Sequence, residues 1–140
     1  MRPILASLLR GPFSLEGLAL FGSSARGEAT EGSDVDLLIV LASSGAIDRS
    51  LYDWWHAHTE ALHKKGTPSL SPHFVALPAK PSTVGSLWYE VAREGVICWD
   101  RNFRVTSVLR ELREAMERGE VIRKVTYGHP YWVKIQEPIK

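Results

Sequence analysis

Two acids one residue apart, Asp34 and Asp36, open the run DVDLLIVL at residues 34–41. In an extended strand, side chains two apart project from one face, roughly 6.5 Å from each other. That spacing suits two carboxylates gripping one divalent cation, or bridging a pair about 3.5–4 Å apart. Two acids at the start of a buried strand are costly unless something positive lies between them. A hard cation with oxygen ligands, Mg²⁺, answers that need. Twelve residues earlier stand Gly22 and Ser23. A glycine directly after a strand lets the backbone turn tightly and approach a ligand. The turn that follows presents free N–H groups to phosphate. The Ser23 hydroxyl can donate to a phosphate oxygen, and Arg26 on the same face of the turn supplies a charge-assisted contact. One side of this candidate site therefore binds phosphate and the other binds the metal that phosphate requires.

The elements needed to position these residues can be read from the pattern around them. Residues 3–10 form a short helix ended by Gly11-Pro12, and LEGLALF at 15–21 forms a strand stopping at Gly22. A brief helical turn from Ser23 to about Ala29 and a polar loop, 30–33, lead into strand 34–41. The apolar residues after Asp36 do not alternate, so both faces are expected to be covered and the strand to lie centrally. Ser43-Ser44-Gly45 breaks the chain, and residues 47–65 form a long helix. Its stripe is Ile47, Leu51, Trp54, Trp55, His58 and Leu62. Strand 71–77 (SPHFVAL), helix 83–94, strand 96–99 and helix 101–118 follow, with Val105, Val108, Leu109, Leu112 and Met116 on one face of the last helix. The tail, 121–135, reads as a β-hairpin turning at Gly128-His129-Pro130. The expected fold is α/β (or α+β), a mixed sheet backed by helices, in one domain spanning 1–140.

Bulk properties narrow the function. With 140 residues the chain buries roughly 68–70% of its unfolded surface, enough to fold without disulfide or structural metal. The formal net charge is +1, so no global field draws it to nucleic acid or an anionic membrane, and any anion must be held locally. Cys98 is the only cysteine, which rules out an intrachain disulfide. It lies in an apolar run that predicts a buried, inert thiol, and a cytoplasmic location is expected. Pro3, Arg10 and Glu16 interrupt the apolar N-terminus, and no segment approaches a membrane span of roughly 20 residues.

The segment FGSSARGEATEGSDVDLLIV, residues 21–40, resembles the signature of the DNA polymerase beta-like nucleotidyltransferases, in particular their small stand-alone "minimal" members. Gly22, Ser23, Ala25, Arg26, Gly27, Ser33, Asp34 and Asp36 match that pattern position by position. SLWYEVAREGVICWD, 86–100, resembles the family's closing helix and strand, so the likeness runs over about 15–100 and leaves the C-terminal helix and hairpin unmatched. The resemblance implies transfer of a nucleoside monophosphate from a triphosphate such as ATP to an acceptor hydroxyl. Gly22 and Ser23 would hold the triphosphate, and Asp34 and Asp36 would bind two metal ions. Family members carry a third carboxylate on a later strand. The corresponding strand here, SPHFVAL, has no acid: Ser71 or His73 occupies the place, and His73 is the candidate catalytic residue.

Several other groups are weighed against plainer readings. Glu90 and Glu94 read as solvated helix surface, and His56, His58 and His63 lack the partners of a zinc site. Tyr127, Tyr131 and Trp132 beside Arg123, Lys124 and Lys134 suit packing or self-association first, then a protein partner, then nucleic acid. Two functions follow as expectations. The chain is a Mg²⁺-dependent nucleotidyltransferase acting on a small molecule, a protein side chain or an RNA end. Alternatively it is an impaired binding module, working as an antitoxin beside a helical HEPN-type partner, as small members of the family do.

Overall fold

The computed structural model describes residues 2–22, 35–42, 47–59, 62 and 69–135. Four strands form a mixed sheet in the order β3-β2-β1-β4: β1 Leu15–Phe21, β2 Val35–Leu41, β3 Leu70–Ala76 and β4 Val96–Asp100. β1 runs antiparallel to both β2 and β4, while β3 runs parallel to β2. A parallel neighbour requires a crossover, and helix α2, Arg49–Thr59, lies in that connection. β2 is central, as its unbroken apolar run predicts, and Leu37 to Val40 are fully buried.

Alternation along the inner strands divides the core into two layers. Ala19, Phe21, Leu38 and Val40 pack with α3 (Ser86–Glu94) and α4 (Arg104–Glu117), through Trp88, Val91, Val105 and Leu109. Leu15, Leu18, Leu37, Ile39 and Leu41 pack with α1 (Arg2–Leu9) and α2, through Ile4, Leu8, Leu51 and Trp55. Each fully buried branched side chain contributes about 1.5–3 kcal/mol, so β2, with five buried residues from Leu37 to Leu41 shared between both layers, is firmly held. On its surface it carries Asp36.

Several boundaries differ from the expectation. Helix α4 begins at Arg104 instead of 101, because the Asp100 carboxylate takes the N–H of Thr106 at 2.8 Å and of Val105 at 3.4 Å. Helix α3 begins at Ser86 instead of 83, after a 3-10 turn at Pro81–Thr83. Within the predicted helix 47–65, Ile47 and Leu62 are exposed, and α2 buries Leu51, Trp55 and Thr59. Cys98 is exposed rather than buried, because β4 is an edge strand whose residues Val96 and Cys98 stay open to solvent. Desolvation nonetheless pushes its thiol above the usual range.

The C-terminal hairpin pairs β5, Val121–Thr126, with β6, His129–Lys134. Its turn is Tyr127-Gly128 rather than Gly128-His129-Pro130, and both turn residues have positive φ, 51° and 78°. A two-residue loop with two left-handed residues matches the natural strand twist, so His129 and Pro130 join β6. The inner face is docked: Trp132 stacks on Tyr89 at 5.4 Å, and Val121 enters the core. Glu90 accepts hydrogen bonds from Arg123 (3.0 Å) and from the Trp132 indole. The expectation of a solvated Glu90 is therefore corrected. The hairpin covers it and gives it two donors.

Candidate functional site

Three strands meet at one end of the sheet. Phe21, the last residue of β1, pairs with Asp36 on β2, and Asp36 pairs with Ser71 on β3. Partners across a ladder point to one face, and His73, two residues beyond Ser71, returns to that face. His73 Nε2 lies 3.2 Å from Asp36 Oδ1. The Phe21 ring meets the imidazole edge-on, with centroids 5.1 Å apart and planes at 62°, which limits its rotation.

The other carboxylate oxygen faces Gly22. With φ of +79°, Gly22 takes a conformation that L side chains rarely adopt, and a Cβ built there would stand 2.5 Å from Asp36 Oδ2. Glycine thus leaves room directly in front of the carboxylate. Asp36 and His73 are about one-third exposed, so a solvated ligand can reach both. A site with one carboxylate, one imidazole and the Ser71 position in register offers oxygen and nitrogen donors, a set that fits a divalent cation. Among the described residues no three His, Cys, Asp or Glu side chains gather into a metal-sized group.

Of the residues singled out in the sequence, Gly22, Asp36 and His73 are brought together. Ser23, Arg26 and Asp34 lie outside the described residues. The α3–β4 junction reaches the same end of the sheet, since Val96 pairs with Leu20. There Glu94 pairs with Arg93 and is only 19% exposed, so it too departs from the solvated reading. His58 does not join a metal cluster: its ring stacks on Trp54, and Nδ1 lies 2.9 Å from the Trp54 carbonyl. Arg123 and Trp132, considered for nucleic-acid stacking, are engaged with Glu90, and Lys134 Nζ donates to the Ser82 carbonyl. The role of Phe21 in holding His73 escaped the sequence reading. Only the β1–β2–β3 register brings these rings together.

Comparison with known proteins agrees with this fold. The family model described as "Nucleotidyltransferase domain" matches residues 4–72. No curated protein matches the chain. Among solved structures, a toxin-antitoxin crystal structure with AMP-PNP aligns at a TM-score of 0.57 and 17% identity, covering 85% of this chain and 88% of that one. The toxin-antitoxin MntA-HepT crystal structure aligns at 0.52 and 16%, covering 85% and 86%. At these identities the likeness is one of fold.

Proposed function

We propose, for a chain that belongs to the nucleotidyltransferase domain family over residues 4–72, a metal-dependent transfer of a nucleoside monophosphate from a nucleoside triphosphate to an acceptor hydroxyl. The observation that carries this reading is the approach of Gly22 to the Asp36 carboxylate, with His73 on its other side. In this reading Gly22 and Ser23 hold the triphosphate, Arg26 adds a charge, and Asp34 and Asp36 hold the cation, expected from its carboxylates to be Mg²⁺. The cation, when bound, neutralises phosphate charge and lowers the pKa of the attacking hydroxyl. His73 lies where it can accept the proton of that hydroxyl or orient Asp36.

A second reading keeps the nucleotide site without turnover, in an antitoxin module acting with a HEPN-type helical protein. It is favoured by strand SPHFVAL, where Ser71 or His73 occupies the place at which the resemblance implies a third carboxylate. The solved structures of similar fold are toxin-antitoxin complexes, one of them with AMP-PNP. In either reading the acceptor or target is brought by a partner. The outer face of the hairpin, with Ile122 and Tyr131 exposed, supports self-association or partner binding. Sedimentation of wild type against Ile122→Asp checks the former: an unchanged, monomeric profile in both would remove it. Among the described residues no helix is long and apolar enough to cross a membrane.

The test is calorimetric titration of the four nucleoside triphosphates with Mg²⁺ or Mn²⁺, followed by an assay for pyrophosphate release. Binding with release supports the enzyme. Binding without release, even with a candidate partner added, supports the antitoxin module. Absence of binding would sink both.

A further inference from the structure

Across the β2–β3 pair the Asp36 carboxylate meets a nitrogen instead of a second carboxylate. His73 Nε2 is 3.2 Å from Asp36 Oδ1, and Phe21 packs edge-on against the imidazole. Ligands on neighbouring corners of an octahedron, at metal–ligand distances of about 2.1 Å, stand about 3.0 Å apart. The observed 3.2 Å separation is close to that edge, so a cation would take the place of the proton that now lies between the two atoms. Both side chains are about one-third exposed to solvent. Carboxylate and water oxygens suit Mg²⁺, whereas imidazole suits first-row transition ions.

We propose that Asp36 and His73 form a mixed oxygen–nitrogen pair that selects a first-row transition dication over Mg²⁺. This rests on the reading of Asp36 as a metal ligand, and it departs both from the Mg²⁺ that the two aspartates alone would suggest and from a proton-accepting His73, whose Nε2 lone pair the cation would take. Within β3 no residue offers this cation a charged oxygen, because SPHFVAL contains no acid. The nitrogen therefore decides the preference.

The test uses the full-length chain without nucleotide and takes Mn²⁺ as probe. Mn²⁺ stands lowest in the affinity series of the first-row dications, so a preference already visible with it is the strictest case. Free Mn²⁺ is counted by electron paramagnetic resonance, and Mg²⁺ is then added to displace it. The wild type should bind Mn²⁺ at least about tenfold more tightly than Mg²⁺, and frozen samples should show coupling of the bound ion to an imidazole nitrogen. His73→Asp should lose that coupling and bring the two affinities closer. Should His73→Asp perturb the fold, His73→Gln supplies an oxygen donor with less added charge, and the nitrogen coupling is read on wild type alone. If bound Mn²⁺ shows no nitrogen coupling, or the affinity ratio is unchanged in His73→Asp, the proposal fails while Asp36 remains a ligand. If binding survives Asp36→Asn, or wild type binds neither ion, the reading of Asp36 fails and the proposal with it.

Discussion

Gly22 and Asp36 share one small space: a Cβ on Gly22 would stand 2.5 Å from the nearer Asp36 carboxylate oxygen. The end of β1 and the start of β2 therefore meet at a point where only a hydrogen fits. Gly22→Ala should displace the carboxylate and force a side chain into a left-handed conformation, costing about 1–2 kcal/mol of stability. A displacement of this kind should weaken nucleotide affinity at least about tenfold. Calorimetry and thermal melting measure the two effects, and unchanged affinity would separate Gly22 from the nucleotide.

Asp36→Asn, alone or with Asp34→Asn, removes charge without changing shape. Metal-dependent nucleotide binding should disappear, as it should in wild type treated with a chelator. Circular dichroism should remain native, because β2 is held by Leu37 to Val40 in both core layers. A mutant that binds metal–nucleotide like wild type would show that the site lies elsewhere.

Glu90 predicts a pH response at the hairpin. Burial pushes its carboxyl up, but hydrogen bonds from Arg123 and Trp132 and the charges of Arg123 and Arg93 outweigh burial and hold it below its ordinary 4.5. A depressed folded-state value contributes stability that is fully present above the unfolded value. That stability is lost as pH falls through the folded value, below about 4.5. The Trp132 indole N–H resonance should therefore shift as pH drops from 5 towards 3, and Glu90→Gln should flatten the response. A wild-type resonance indifferent to acid would mean that the carboxylate does not hold the hairpin.

Asp100 starts α4 from outside the helix, taking the Thr106 N–H at 2.8 Å and the Thr106 hydroxyl at 2.7 Å. Asp100→Ala should cost about 1 kcal/mol, in the range of lost helix caps. Urea unfolding would read it as a lower midpoint with an unchanged slope. No change in midpoint would leave the start of α4 to Phe103 and its neighbours.

Much of the architecture was legible because its causes are local. The continuous apolar run after Asp36, short and rich in branched residues, reads as a strand covered on both sides. The periodic stripe of Val105, Val108, Leu109 and Leu112 could only be a helix face. The Gly-Ser and Asp-x-Asp spacing pointed to the nucleotidyltransferase family, whose domain model matches residues 4–72. The turn at Tyr127-Gly128 was misplaced because a non-glycine residue at positive φ carries little signal of its own. Pro130 read as a breaker although an edge strand tolerates it.

The sequence by itself determined the order of the described helices and strands, the mixed helix–sheet class and the family, since periodicity and motif spacing are properties of neighbours in the chain. The tertiary structure decided what crosses between elements. Strand register set Phe21 and Asp36 opposite each other and brought His73 to the same carboxylate. The docked hairpin turned Glu90 from a surface acid into the partner of Arg123 and Trp132. These contacts join residues up to 42 positions apart, and only packing chooses such partners.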